Sequence, residues 1–116
     1  MSVTIYHNPR CSKSRQTLEL LTEKGIEPQV VKYLEETPTV ETLKNLYQQL
    51  GLNKVRDMMR TKEDIYKELN LGDSSVTDEQ LFEAMANHPK LIERPIVVNN
   101  GQARHGRPPE QVLEIL

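Results

Sequence analysis

The N-terminal stretch reads strand, turn, helix, strand, and that order leaves few folds open. Val3–Tyr6 is a short β-rich run that ends at His7-Asn8-Pro9, a turn signal. A helix is expected from about Ser12. Thr17, Leu18 and Leu21 form its apolar stripe, and Lys24-Gly25 supplies a cationic last turn and a C′ glycine. Gln29–Tyr33, with Val30-Val31 at its centre, reads as a second strand. Two strands joined by a helix within about 30 residues make a βαβ unit. Its strands are parallel and its crossover right-handed, because a right-twisted strand and a right-handed helix pack back onto one sheet only that way.

The middle of the chain has a helical period. Thr39 is a candidate N-cap, and Val40, Leu43, Leu46, Tyr47 and Leu50 recur on one face before Gly51. That stripe is read as core, not as a cofactor site. Val55–Arg60 and Asp64–Leu69 read as two shorter helices. Thr77-Asp78-Glu79-Gln80 matches a capping box, opening a helix whose buried side is Leu81, Ala84 and Met85 and which Pro89 ends. In the last third the period changes again. Ile96-Val97-Val98 reads as a buried strand, Asn100-Gly101 as a tight turn, and Gln102–His105 as the returning strand. Pro108 suits the first turn of a final helix with Val112, Leu113 and Leu116 on its core side. The string β-α-β, helices, β-β-α predicts an α/β fold, a mixed sheet covered by helices with the thioredoxin/glutaredoxin layout. With 116 residues and no linker, one domain over 1–116 is expected, carrying a helical insertion at about 39–90.

Composition excludes several functions. Lys and Arg number 15 against 17 Asp and Glu, so the chain is net acidic, which argues against general nucleic-acid binding. No apolar run approaches the roughly 20 residues of a membrane span, and the N-terminus lacks a secretory pattern, so no membrane partner and a cytoplasmic location are expected. The single cysteine, Cys11, rules out an internal disulfide and a cysteine-based zinc site, and His7, His88 and His105 lack metal-ligand spacing.

Cys11 lies between a strand-ending turn and the expected start of a helix. The unpaired amides and positive dipole end there favour a thiolate, and the same amides can hold an oxyanion. Charge distribution agrees. Residues 1–18 and 94–109 contain no acid but carry Arg10, Lys13, Arg15, Arg94, Arg104 and Arg107. At the chain's average these windows would hold about five acids. Both are expected at one end of the sheet, giving an electropositive pocket on an acidic protein. Cys11-Ser12-Lys13-Ser14 has serine where a dithiol oxidoreductase has its second cysteine, so any disulfide must form with an external thiol. Position 17 is Thr17, not the arginine of a phosphatase-type loop. Ser14 is read either as a donor to the thiolate or as an ordinary first-turn residue. Lys13 and Arg15 flank the site as secondary candidates, and Arg104 reads as a solvated strand residue.

His7-Asn8-Pro9-Arg10-Cys11-Ser12-Lys13-Ser14-Arg15 resembles the active-site loop of the glutaredoxin-coupled arsenate reductase family. The similarity continues through Tyr33-Leu34-Glu35, Met59-Arg60, Glu68-Leu69-Asn70-Leu71, His88-Pro89, Arg94-Pro95-Ile96-Val97-Val98 and Gly106-Arg107-Pro108-Pro109-Glu110, covering nearly the whole chain in order. The resemblance implies a thioredoxin-like fold, Cys11 as nucleophile, and Arg60, Arg94 and Arg107 as oxyanion-binding residues. It implies that His7 lies near the thiol and helps maintain its reactive state, and that Pro95 occupies the cis-proline position of the fold. It further implies arsenate or a similar oxyanion as substrate, no bound cofactor, glutathione as co-substrate and glutaredoxin as partner. The sequence departs from the best-characterised members at Ser12-Lys13, where they have Gly-Thr, and at Gly106-Arg107-Pro108-Pro109, where they have Cys-Arg-Pro-Ser. It also stops at Leu116 without their extension. Those departures point to a shorter paralogous branch. Two other functions fit the fold family: a monothiol glutathione-dependent oxidoreductase, and an RNA-polymerase-binding redox regulator. The sensing members of the latter carry a Cys-x-x-Cys pair, which Cys11–Ser14 lacks.

Overall fold

In the computed structural model, which describes residues 3–116, the N-terminal pattern forms β1 (Thr4–Tyr6), α1 (Ser12–Glu23) and β2 (Gln29–Val31). β1 and β2 are parallel, with Tyr6 opposite Val31. β2 ends earlier than the Gln29–Tyr33 run predicts. The amides of Glu35 and Glu36 both donate to the Lys32 carbonyl, which turns the chain and leaves Tyr33 buried outside the strand. α1 stops as predicted: Gly25 takes a left-handed φ of +76°, which an L side chain disfavours.

β3 (Ile96–Asn99) and β4 (Gln102–His105) form the expected hairpin. Asn100 and Gly101 have φ of +55° and +75°, the left-handed pair that a two-residue hairpin turn requires. The sheet order is β2-β1-β3-β4, with β3 antiparallel to both neighbours. The core beside the sheet joins Val3, Ile5 and Val97 to Leu21 of α1 and to Val112 and Ile115.

The C-terminal segment departs from expectation. Pro109–Ile115 is a 3₁₀ helix, not an α-helix. Its buried residues are Pro109, Val112 and Ile115, spaced by the three residues per turn of that helix. Leu113 and Leu116, expected inside from the α-period, are therefore exposed. Arg104 is not merely solvated: its Nε donates to Glu114 at 2.9 Å, tying β4 to this segment.

These elements belong to one compact unit, Met1–Glu36 with Arg94–Leu116; Thr37–Glu93 forms another. The second unit contains α2 (Val40–Leu50), α3 (Asp64–Glu68) and α4 (Asp78–Asn87). Thr39 caps α2 by accepting from the Thr42 amide, and the Thr77/Gln80 capping box opens α4 with both of its hydrogen bonds. Tyr47 and Phe82 meet edge to face between α2 and α4. The Val55–Arg60 run is shorter than predicted. It is a 3₁₀ turn over Val55–Met58, after which Met59 pairs with Ile92 in an antiparallel bridge. The neighbouring Arg60 amide donates to the Leu91 carbonyl at 2.7 Å.

The Arg94–Pro95 and Arg107–Pro108 peptide bonds are both cis. Gly106 lies between Pro95 and α1, with its amide donating to the Pro95 carbonyl. A Cβ there would collide with Thr17 Oγ1 and lie 2.8 Å from Pro95 Cγ. Since neither ring nor helix can yield freely, Gly106→Ala is expected to cost about 1–3 kcal/mol. The urea midpoint should fall with an unchanged slope.

Candidate active site

The sheet register brings distant segments to one end. Tyr6 lies opposite Ile96 across β1 and β3, and Ile96 lies opposite His105 across β3 and β4. The loop after β1, the approach to β3 and the exit from β4 therefore share that end. They carry Cys11, Arg94 and Arg107 respectively. Lys32, just beyond β2, joins them because Val31 lies opposite Tyr6.

The loop between β1 and α1 is held by a closed set of hydrogen bonds. The His7 amide donates to the Val31 carbonyl, continuing the ladder by one step. The Asn8 amide donates to Ser14 Oγ at 3.0 Å, and Asn8 Oδ1 accepts from the Arg10 amide. The Cys11 amide donates to the Asn8 carbonyl, and the Arg15 guanidinium donates to the Pro9 carbonyl at 2.9 Å. Cys11 is thereby set at the N-cap of α1 in extended conformation, φ −94° and ψ 124°. An N-cap side chain faces the amides of the first turn. Here that side chain ends in sulfur.

Opposing effects act on the thiol. Burial pushes its pKa up. The Ser14 amide, the charge of Arg94, the Lys13 amide and a hydrogen bond from the Arg94 side chain all pull it down, and the net direction is down. The sequence-level expectation of helix amides favouring a thiolate thus has named donors, with a half-buried Arg94 added. Arg107 is exposed, and its Nη1 donates to the Arg94 carbonyl at 3.4 Å, which sets the two arginines side by side.

His7 and Ser14 form a buried pair, with His7 Nδ1 2.7 Å from Ser14 Oγ. Burial lowers the His7 pKa, and the charges of Lys32 and Arg15 lower it further. His7 is therefore neutral near pH 7 and supplies a hydrogen-bonding edge rather than a positive charge. Of the two sequence readings of Ser14, a donor to the thiolate is the one its amide fits, and its hydroxyl has a separate task. Its hydroxyl joins His7 to the Asn8 amide, while its own amide favours the thiolate. Arg15 braces the loop through Pro9 and adds positive charge near His7.

Arg60 belongs to the second unit, where its Nη1 pairs with Glu63 Oε1 at 2.5 Å. Among the described residues no group of three His, Cys, Asp or Glu side chains could hold a metal ion. No helix there is long and apolar enough to cross a membrane. Lys32 escaped sequence reasoning. Its signal was topological: a residue just past β2 falls beside the loop after β1 once those strands are parallel.

Known proteins resemble this chain over nearly its whole length. Residues 6–115 match the model of the ArsC family. The chain is 53% identical to a Haemophilus influenzae protein named arsenate reductase over 116 residues, all of both chains. It is 64% identical over 114 residues to the Escherichia coli K12 protein called uncharacterized protein YfgD, covering 98% of this chain and 96% of that one. Among solved structures, one described as an arsenate reductase from Vibrio cholerae superposes with a TM-score of 0.99 at 77% identity, covering 100% of this chain and 98% of that one.

The balance at Cys11 yields a measurement. The pH profile of Cys11 alkylation by iodoacetamide is expected to turn over below the value of about 8.5 of a free cysteine. Arg94→Gln removes a charge and a donor but leaves the burial, so its midpoint should move up. An unmoved midpoint would show that the helix amides alone set the thiolate.

Proposed function

This chain belongs to the ArsC family, and from that membership and the site's geometry we propose that it is a cytoplasmic arsenate reductase served by glutathione and glutaredoxin. The placement of Cys11 carries the proposal: a thiol at the N-cap of α1, beside Arg94, with its pKa drawn down by the Ser14 and Lys13 amides and by Arg94. The names of its relatives in Haemophilus influenzae and Vibrio cholerae support the choice of arsenate among oxyanions.

The reaction begins when the Cys11 thiolate attacks arsenic. A sulfur–arsenic bond forms, and one arsenate oxygen leaves as water after taking a proton from solvent. Arsenic remains in the +5 state. Both partners of this step are anionic, so the oxygens must be neutralised as sulfur approaches. Arg94 and Arg107 supply planar, permanently charged donors, each able to engage two oxygens. Arg60, assigned to the oxyanion by family resemblance, supplies a third.

Cys11 is the chain's only cysteine, so the reducing electrons come from outside. Glutathione thiol displaces a second oxygen as water, giving arsenic two sulfur substituents. A glutaredoxin thiolate then attacks the glutathione sulfur. The electron pair of the arsenic–glutathione bond passes to arsenic, which becomes +3, and glutaredoxin leaves as a mixed disulfide with glutathione. Water displaces Cys11 from arsenic(III), releasing arsenite and restoring the thiol. No metal or bound redox group takes part in these steps.

The test is arsenate-dependent NADPH oxidation with glutathione, glutaredoxin and glutathione reductase supplied. Turnover is expected in the native chain and none in Cys11→Ser. A native chain that reduces a glutathionylated peptide but not arsenate would instead mark a monothiol oxidoreductase. Arg60→Lys keeps the charge and loses the fork. It should lower kcat/KM by about 10- to 100-fold, the equivalent of one charge-assisted hydrogen bond, with unfolding stability within about 0.5 kcal/mol of native.

A further inference from the structure

Arg60 is not an unoccupied cation. Within the second unit its Nη1 is 2.5 Å from Glu63 Oε1, with side-chain exposures of 33% and 27%. The backbone enforces the pairing. The Arg60 amide donates to the Leu91 carbonyl at 2.7 Å, and the Glu63 amide donates back to the Arg60 carbonyl at 3.3 Å. A turn thus presents the carboxylate to the guanidinium three residues earlier.

Glu63 serves no other visible purpose. It occupies the N-cap of α3, but its side chain makes no capping bond. Glutamate is not among the favoured N-cap residues, and the acid of the first turn is Asp64. The carboxylate is committed to Arg60 instead.

We infer that Glu63 is a specificity-determining residue that sets oxyanion affinity by competing for Arg60. The inference rests on the assignment of Arg60 to the oxyanion in the proposed function. A guanidinium grips an oxyanion through two adjacent N–H groups. If the grip uses Nη1, the oxyanion must displace the carboxylate. If it uses the Nε edge, the carboxylate stays nearby and repels the incoming charge. Both routes make Glu63 weaken anion binding. A partly exposed pair is weak enough to be displaced by substrate, so it acts as a threshold and not as a block. It disfavours anions with little charge, which cannot outcompete a carboxylate, and admits a dianion.

The experiment compares the native chain, Glu63→Gln, Arg60→Gln and the double variant. Two readouts are taken: arsenate kinetics in the coupled assay, and the arsenate concentration that half-protects Cys11 from iodoacetamide. Glu63→Gln keeps the shape of the side chain and removes its charge. Its arsenate KM and half-protecting concentration should both fall by about two- to five-fold, the size of a partly exposed ion pair, with kcat within two-fold. In the Arg60→Gln background the same substitution should change neither value. Unchanged or raised values in Glu63→Gln overturn the inference even if Arg60→Gln is impaired, which leaves the assignment of Arg60 standing. An equal fall in both backgrounds also overturns it, since Glu63 would then act as a bulk charge and not through Arg60. If Arg60→Gln behaves as native, the assignment of Arg60 fails and the inference fails with it. Protection without turnover in the native chain separates a failed reaction assignment from a binding effect that is still measured.

Discussion

The hydroxyl of Ser14 is the point on which the reactive end of the sheet depends. It accepts from the Asn8 amide in a part-buried bond and meets His7 Nδ1 in a buried one. One side chain thereby joins the last residues leaving β1 to the first turn of α1. Leaving such a buried polar group unmatched costs about 1–3 kcal/mol, so the joint holds only as a complete set. What it holds is Cys11, three residues earlier, in the extended N-cap conformation, where the amides of Ser14 and Lys13 help to pull its pKa down. His7 is part of the joint and not of the charge. Burial together with Lys32 and Arg15 keeps it neutral.

An acidic protein can bind anions because the relevant field is local. The Debye length is about 8 Å at physiological ionic strength, so remote carboxylates on the surface matter little to Cys11. The partly buried donors near the sulfur are screened far less. Burial alone would make Cys11 an inert thiol, and the helix amides together with Arg94 reverse that tendency. The same groups that favour the thiolate would favour an oxyanion beside it.

Arg107 reaches this end of the sheet through a tight backbone approach. Gly106 fits against Thr17 and Pro95 where no Cβ could stand, and Arg107 then donates to the Arg94 carbonyl. The departure at Gly106 from the Cys-Arg-Pro-Ser of the best-characterised members of the resembled family is therefore built into the packing here. It also leaves Cys11 as the chain's only cysteine.

Much of the architecture followed from local rules that the sequence states outright. The capping box at Thr77, the stop at Gly25 and the Asn100-Gly101 turn depend on neighbours a few residues away, and each formed as its residues dictate. The position of Cys11 at a helix start was legible for the same reason. Where local preference and packing compete, only the tertiary structure decided. The C-terminal segment took a 3₁₀ period because Pro109, Val112 and Ile115 meet their neighbours at a spacing of three, so Leu113 and Leu116 turned outward. The contacts of the Ser14 hydroxyl with His7 and Asn8, the nearness of Lys32 to His7 and the partnership of Arg60 with Glu63 were likewise beyond the sequence pattern. Each depends on where a strand, a turn or a carboxylate ends up in space, and hydrogen-bond geometry and charge separation are set only when the chain has closed on itself.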